Sequence, residues 1–329
     1  MEILKKMKKE IKKAKKFRTF GGKIGALINS ATRGYLLFKQ YIYSKIFINE
    51  KKIIITKVND YNMWINPKDM GLSLDLYRYH TREPYSTKKL KELLKENDIV
   101  FDIGANIGYY VLLENTIIKN GKILGIEPVK ENFELLEKNV KLNSCKNIKL
   151  LNAAVGDKTE IKEIYIYKKR NLSSLNKSDS NDPIKTEKIP VFTIKSLIKN
   201  FKIKPTVLRM DVEGYEYEII KGMKDIITNL DNLLFFIELH PDCMDEKRTL
   251  EILNFFKDNN FKLINAYKEP PIWEKRDVIA KLGFGISNSL CKTPFGKNLY
   301  QNIDEIIQDK EFIQGAKGFC ELFLEKGKR

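Results

Sequence analysis

The sequence contains no long apolar run, few cysteines and only two histidines. Since no stretch of about 18 apolar residues occurs, we expect no membrane-spanning helix, and residues 1–20 are too charged for a secretory signal. The four cysteines are Cys145, Cys243, Cys291 and Cys320. They form no Cys-x-x-Cys pair, which excludes a zinc knuckle and a thioredoxin-type motif and suits a reducing cytoplasm.

Positive charge is in excess, and most of the excess lies at the N-terminus. The 329 residues carry a net charge of +17. Residues 1–52 hold 15 Lys and Arg against three acids, whereas the rest of the chain holds 45 against 40. We therefore divide the chain into a basic helical extension (1–52), a hairpin and helix leading into the core (53–96), and a catalytic domain (97–329).

Within residues 1–20, apolar residues recur every three or four positions and lysines fill the other faces. The apolar positions are Ile3, Leu4, Met7, Ile11, Ala14 and Phe17. This pattern predicts an amphipathic helix that ends at Gly21-Gly22. Three interpretations stay open: the helix packs on the catalytic domain, lies on an anionic membrane surface, or contacts nucleic acid. The second would make the protein a cytoplasmic enzyme held peripherally at a membrane.

From residue 97 onward, short apolar segments alternate with amphipathic helical patterns. The predicted strands are 99–103, 122–126, 148–154, 206–210, 233–237 and 261–267, with a seventh placed at 284–290. A closing helix is predicted at 303–324. Strand–helix alternation of this kind predicts an α/β fold with a doubly wound, mostly parallel, seven-stranded sheet.

Glycines and acids follow the first two predicted strands. Asp102 lies at the end of the first strand, and Gly104 and Gly108 follow it. Glycine allows the backbone to turn sharply and to approach a ligand closely. Glu127 ends the second strand, at about the 20-residue spacing at which an acid can accept both hydroxyls of a ribose. Because ligands bind at the carboxyl ends of strands in such sheets, a nucleoside-bearing cofactor is expected here.

The spacing of these residues favours S-adenosylmethionine (SAM) over a dinucleotide. Dinucleotide sites use Gly-x-Gly-x-x-Gly, and residues 104–108 lack the middle glycine. The carboxylate of Asp102 would repel a pyrophosphate but would attract the ammonium group of the methionine half of SAM. A structural turn that binds no ligand is the remaining alternative.

Four segments together resemble the FkbM family of SAM-dependent methyltransferases: 102–108, 127–128, 152–157 and 209–216. The last segment carries Asp-Val-Glu-Gly-x-Glu, which is the most specific of the four. The resemblance implies a class I, Rossmann-like fold and O-methylation of sugar or polyketide hydroxyls. It also implies that the methionine half of SAM is bound by Asp102, Gly104, Ala105, Asn106 and Gly108. Glu127 would bind the ribose, and the adenine would lie beside Asn152 and Ala153.

A second group of polar residues follows the fourth and fifth predicted strands. Asp211 and Glu213 follow the fourth strand, and Glu238 and His240 follow the fifth. Since neighbouring strands lie about 4.8 Å apart, we expect these residues to converge near the methyl donor. His240 is the predicted general base because its unperturbed pKa is about 6.5, and Asp211 is the second choice, with Glu213 beside it.

Two other interpretations of this group stay open. Asp211, Glu238 and His240 can instead bind Mg or Mn, which would lower the pKa of the acceptor hydroxyl. Alternatively, Asp211 only caps the N-terminus of the following helix, and His240 is only a turn residue.

The sequence predicts a SAM-dependent O-methyltransferase that acts on a hydroxyl of a sugar, a glycan or another small molecule. One alternative is an RNA methyltransferase that uses the basic extension, although no RNA-binding module is recognisable. Another is a non-catalytic protein of the same fold that binds a partner through its N-terminal helices. The polar stretch at 171–182 is either a surface loop or a substrate loop over the site.

Overall fold

The computed structural model describes residues 53–66, 72–167, 173–176, 182–267 and 298–328. The basic extension, with its predicted amphipathic helix, and the strand predicted at 284–290 lie outside these residues. In the described part of the chain, no helix is long and apolar enough to cross a membrane. The described residues from 54 onward belong to one compact unit, Ile54–Glu269 with Gly296–Arg329.

A hairpin and two helices lead into the core. The hairpin consists of β1 (Ile54–Val58) and β2 (Tyr61–Ile65), which pair antiparallel as predicted. Helix α1 (Leu72–Tyr79) was not predicted, whereas α2 (Pro84–Leu93) confirms the helix expected before the first core strand. Pro84 at the first helical position explains where α2 begins, since proline lacks the N–H group that would be unsatisfied there.

The remaining strands and helices follow from residue 99 onward. The strands are β3 (Ile99–Ile103), β4 (Lys122–Ile126), β5 (Ile148–Leu151), β6 (Ala154–Val155), β7 (Glu160–Ile166), β8 (Lys185–Phe192), β9 (Val207–Met210), β10 (Leu233–Leu239), β11 (Lys262–Tyr267) and β12 (Cys320–Lys326). The helices are α3 (Tyr109–Ile117), α4 (Lys130–Leu142), α5 (Ile194–Phe201), α6 (Glu216–Met223), α7 (Glu246–Asp258), α8 (Ile303–Gln308) and α9 (Lys310–Ile313).

Seven of these strands form the central sheet, in the order β11-β12-β10-β9-β3-β4-β5. Strand β12 runs antiparallel to both of its neighbours, whereas the pairs β10–β9, β9–β3, β3–β4 and β4–β5 are parallel. This confirms the predicted doubly wound, mostly parallel seven-stranded sheet. It also places the carboxyl ends of β3, β4 and β9 side by side.

The closing helix predicted at 303–324 is wrong in its second half, which contains strand β12. Helical structure ends after α9, and Gly315 and Gly318 then adopt φ angles of +74° and +68°. The first five residues of β12 are all buried. A strand that is buried on both faces has a continuous apolar run, which periodicity does not distinguish from a buried helix.

Alternate residues of the central strands enter two separate cores, one on each face of the sheet. In β10, Phe235 and Ile237 belong to one core, whereas Leu234 and Phe236 belong to the other. Burying each such side chain contributes about 1.5–3 kcal/mol. The strand ends that carry the polar residues are therefore anchored in well-packed structure.

An insertion follows β5 and forms a small separate sheet in the order β6-β8-β7. Strands β7 and β8 pair as an antiparallel hairpin. Residues 173–176 are the described part of the polar stretch between these strands. Ser174 forms an isolated antiparallel bridge with Tyr165 of β7, which holds this segment against the insertion.

Candidate functional site

A cavity of about 830 Å³ opens at the carboxyl ends of β3, β4 and β9. Residues 173–175 of the insertion form part of its wall, so the described part of the predicted substrate loop borders the cavity. Other lining residues are Arg82, Gly104, Ala105, Asn106, Glu127, Ala153, Arg209, Asp211, Glu213 and Tyr215.

Two glycines of the predicted SAM motif are required for different reasons. Gly104 has a φ of +79°, and a Cβ atom there would lie 1.9 Å from the carbonyl oxygen of Asp211. The glycine therefore permits contact between the loops that follow β3 and β9. Gly108 has a φ of +94°, and a Cβ atom there would lie 2.6 Å from Leu136 Cδ1, so this glycine permits α3 to pack against α4. Gly104 lines the cavity and Gly108 does not.

Glu127 lies between the loops that follow β3 and β4. Its Oε2 accepts a hydrogen bond from the Asn106 N–H at 2.8 Å, and its Oε1 accepts one from the Val129 N–H at 2.9 Å. Burial raises the pKa of Glu127 to about 7 despite these hydrogen bonds. Asn152 donates to the carbonyl oxygens of Glu127 and Pro128, at 2.8 and 3.0 Å. Asn152 thus holds the turn that carries Glu127.

Arg209 links Asp102, which lies in β3, to Asp211, which follows β9. Its Nη1 donates to Asp102 Oδ1 and its Nη2 donates to Asp211 Oδ2, both at 2.9 Å. Its guanidinium carbon also lies 4.2 Å from the ring centroid of Tyr110. Asp102 is fully buried beneath the cavity, whereas Arg209 and Asp211 line it. The structure therefore brings Asp102 to Arg209 and does not bring it to the cavity surface.

The role of Arg209 was missed from the sequence, although the residue stands within the resemblance motif. A detectable signal was its position in β9, a short apolar strand in which a charged side chain must be buried. Buried charges are almost always paired, so a partner was to be expected. The partner Asp102 faces Arg209 across the parallel register of β3 and β9.

Asp211 is ionised at neutral pH. Burial alone would raise the pKa of Asp211, but Arg209, Arg82 and His240 together hold it below its usual value. The helix that follows has Tyr215 at its N-cap position, without a side-chain capping bond. The interpretation of Asp211 as a helix cap is therefore wrong.

His240 lies among three glutamates at the end of β10. Its Nδ1–H donates to Glu216 Oε1 at 2.7 Å, and its Nε2 lies 3.5 Å from Glu238 Oε1 and 3.7 Å from Glu213 Oε2. Burial lowers the pKa of His240, but the carboxylates of Glu216 and Glu238 outweigh it and raise this pKa well above the ordinary value. The expectation of an imidazole poised near pH 6.5 does not hold here, because these acids favour the charged imidazolium.

Two groups of possible metal ligands each include a residue from the end of β10. One consists of Asp211, Glu213 and His240, whose potential metal-ligand atoms all lie within 4.8 Å of one another. The second consists of Glu83, Glu238 and Glu321. The predicted metal set of Asp211, Glu238 and His240 is thus not the trio that the structure gathers, because Glu213 takes the place of Glu238.

The donor set of the cavity fits SAM. Apolar side chains, among them Ile103 and Ala153, offer a surface for adenine. The buried carboxylate of Glu127 is suited to accept hydrogen bonds from ribose hydroxyls. The ionised Asp211 faces the same space and suits a ligand that carries sulfonium and ammonium charges.

Comparison with known proteins identifies the family of this domain. Residues 102–263 match the model described as the methyltransferase FkbM domain. A curated relative, the hexuronic acid methyltransferase AglP of Haloferax volcanii, is 26% identical over 184 residues, which cover 52% of this chain and 72% of that protein.

Solved methyltransferase structures are also similar to this chain. Methyltransferase FkbM from Methylobacillus flagellatus matches with 21% identity and a TM-score of 0.33, over 47% of this chain but only 36% of that one. The M. jannaschii TYW2 structure in complex with AdoMet matches with 14% identity and a TM-score of 0.40, over 84% of this chain and 88% of that one. The match of residues 102–263 shows a methyltransferase FkbM domain, and this domain is that of a SAM-dependent methyltransferase.

Proposed function

We propose that the protein transfers the methyl group of SAM to a hydroxyl of a sugar or glycan. The observation that carries this proposal is that Asp211 and Glu213 line the same cavity as Glu127. A proton acceptor therefore lies beside the space that suits SAM. The similarity to a hexuronic acid methyltransferase supports a sugar as the acceptor.

The part of the cavity around Glu127 is the proposed SAM half of the site. Glu127 binds the ribose hydroxyls, Ala153 borders the adenine, and Ala105 and Asn106 border the methionine half. Asp102 contributes indirectly, since it neutralises one side of Arg209 and so fixes the position of Asp211. SAM itself supplies an electrophilic methyl group on a positively charged sulfur.

The acceptor hydroxyl must lose its proton as its oxygen bonds to the methyl group. We propose Asp211 as the group that accepts this proton, because it lines the cavity and is ionised. His240 is less suited, since its imidazolium form has no lone pair with which to accept a proton. In this arrangement the positive charge of His240 positions Glu213 and Glu216.

A divalent cation is a variant of this mechanism. We propose Mg or Mn at Asp211, Glu213 and His240, where it would lower the pKa of the bound hydroxyl. The hydrogen bond from His240 Nδ1 to Glu216 supports this variant, because a metal-binding histidine usually donates its second N–H to a carboxylate and keeps the other nitrogen for the ion. Loss of turnover with a chelator, restored by Mg or Mn, would establish it.

We also propose that residues 1–20 attach the enzyme to an anionic membrane surface, where lipid-linked glycans would be concentrated. This proposal rests on the alternation of apolar residues and lysines in the sequence. Co-sedimentation of the full chain and of a chain without residues 1–20 with anionic vesicles tests it.

The acceptor is tested by incubating the full chain with methyl-labelled SAM and separate pools of glycans, neutral sugars and RNA. Mass spectrometry should detect the labelled methyl group on a sugar. Label that appears in RNA and in no sugar would overturn the proposal in favour of the RNA alternative. SAM binding without transfer to any pool would favour the non-catalytic alternative.

A further inference from the structure

Arg82 is held rigidly at the cavity wall, just before α2. Its backbone N–H donates to the Tyr109 hydroxyl at 3.0 Å, and its carbonyl oxygen accepts from the same hydroxyl at 2.8 Å. The Thr87 hydroxyl donates to that carbonyl oxygen at 2.9 Å. Tyr109 belongs to α3 and also lines the cavity, so Arg82 is fixed relative to the SAM half of the site.

The guanidinium of Arg82 has N–H donors that lack an acceptor among the described residues. Its Nε donates to Glu83, and the side chain is 20% exposed. Among the described residues, none accepts a hydrogen bond from its two terminal NH₂ groups. Arg209 is different, because its Nη1 and Nη2 are both engaged, by Asp102 together with the Gly104 carbonyl and by Asp211. Only the buried Nε of Arg209 lacks a partner, so Arg82 is the cavity arginine whose two terminal NH₂ groups remain for a ligand.

The planar guanidinium group presents parallel N–H donors that match the two oxygens of a carboxylate. We propose that Arg82 binds a carboxylate in this cavity. One source is the α-carboxylate of SAM. The other is the carboxylate of an acidic sugar acceptor, and this second source rests on the function proposed above.

The surroundings of Arg82 suit the zwitterion of an amino acid. Arg82 and Asp211 both line this cavity, so its wall carries a cation and an anion. The carboxylate of an amino acid would bind directly to Arg82, while its ammonium would only be attracted by the charge of Asp211, which stays free to accept the proton of the acceptor. Asp102, which sequence reasoning assigned to that ammonium, is instead buried against Arg209.

The test compares two neutral thioethers, S-adenosylhomocysteine and methylthioadenosine, of which only the first carries the amino acid. Calorimetry would measure their affinities for the wild type, for Arg82→Gln and for Arg82→Lys. If the cofactor is the source of the carboxylate, Arg82→Gln should lower the affinity for S-adenosylhomocysteine roughly 10- to 100-fold and leave the affinity for methylthioadenosine unchanged. Arg82→Lys should show a smaller loss, because lysine keeps the charge but not the paired donors.

If the acceptor is the source, both nucleosides should bind Arg82→Gln normally. The KM of a uronate-bearing acceptor should then rise roughly 10- to 100-fold while that of its neutral methyl ester stays unchanged. Arg248→Gln is the matched control, since this half-buried arginine does not line the cavity and packs on the ring of Tyr217 instead.

Either pattern supports a carboxylate-binding Arg82. The proposal is overturned if Arg82→Gln alters neither nucleoside nor acceptor binding. It is also overturned if Arg82→Gln and Arg82→Lys both melt like the wild type but weaken the two nucleosides equally. The nucleoside arm needs no methyl acceptor, so a failure of the sugar proposal is seen separately.

Discussion

The two halves of the cavity are built differently. On the β3–β4 side, Glu127 is held mostly by backbone N–H groups of nearby loops, and glycine permits close packing. On the β9–β10 side, Asp211 and His240 lie in a cluster of charges whose members come from several elements, among them Asp102 of β3 and Glu216 of α6. We therefore expect the first half to control SAM binding and the second half to control proton transfer.

The largest effect should come from Asp211→Asn, which keeps the shape of the side chain but removes its charge. We expect kcat at saturating SAM to fall about 100- to 10,000-fold, as is typical when a general base is lost. Asp242→Asn is a matched control, because Asp242 is exposed. A kcat near that of the wild type would remove Asp211 from the mechanism.

Substituting His240 should affect stability as well as turnover. In His240→Ala, Glu216 would lose the cation that pairs with it in a fully buried position. Breaking such a buried pair costs about 3–5 kcal/mol, so the melting temperature should fall by several degrees. SAM affinity should change little in the fraction that stays folded. A variant that melts normally and turns over normally would show that His240 serves neither role.

The SAM half is tested by Glu127→Ala. Each lost hydrogen bond to a charged group is worth about 1.5–3 kcal/mol, so SAM affinity should fall roughly 10- to 100-fold per bond. Calorimetry would measure this, with Glu137→Ala on the exposed face of α4 as the control. Unchanged SAM affinity would refute the ribose assignment, and tighter binding of NAD than of SAM would refute the cofactor assignment.

The raised pKa of Glu127 makes SAM binding dependent on pH. Below its pKa of about 7, Glu127 is mostly protonated and is a poorer acceptor for the ribose hydroxyls. SAM affinity should therefore rise about tenfold between pH 6 and pH 8, as linkage to one proton requires. Glu127→Gln should bind with little dependence on pH over this range. An equal slope in both proteins would assign the titration to another group.

The raised pKa of Glu127 also affects the free energy of unfolding, which should fall as the pH rises, whereas SAM affinity should increase. Burial makes ionisation of Glu127 more costly in the folded state than in the unfolded chain. Glu127 therefore contributes most to the stability of the folded state below about pH 4.3, the pKa of this side chain in the unfolded chain. This contribution is lost as the pH rises towards 7. Unfolding of wild type and Glu127→Gln at pH 5 and pH 8 should show this loss in the wild type alone.

The smallest effect on SAM binding is expected from deleting residues 1–20. The truncated protein should bind SAM normally but should no longer sediment with anionic vesicles. Binding of the full chain should weaken with salt, since exposed charges are screened within about 8 Å at physiological ionic strength. A truncated protein that sediments as well as the full chain would end the membrane proposal. A loss of thermal stability would favour packing on the catalytic domain, and a loss of RNA binding would favour nucleic acid.

Local signals account for the parts of the fold that sequence reasoning obtained correctly. Strands β3 and β4 are short apolar runs followed by glycine, acid or proline, and their bounds match those predicted. Strand β8 was missed because it begins with polar residues, Lys-Thr-Glu-Lys, and contains Pro190. Strand β12 was missed because its apolar run has no distinguishing period.

The candidate site was predictable only where it depends on nearby residues. The position of Glu127 in the cavity follows from its place at the end of β4. The protonation of His240 depends on Glu216, 24 residues away, and the position of Asp102 depends on Arg209, 107 residues away. A single sequence does not show such pairings, because they arise from the order of strands in the sheet.

The central claim is that one half of the cavity binds SAM and the other accepts the proton of the acceptor. It is tested most directly by single-turnover methyl transfer at saturating SAM. The account predicts that Glu127→Ala regains a rate near that of the wild type once SAM is saturating, whereas Asp211→Asn stays slow at every SAM concentration. If Asp211→Asn regains the wild-type rate and Glu127→Ala stays slow, the assignment of binding to one half and proton transfer to the other is contradicted.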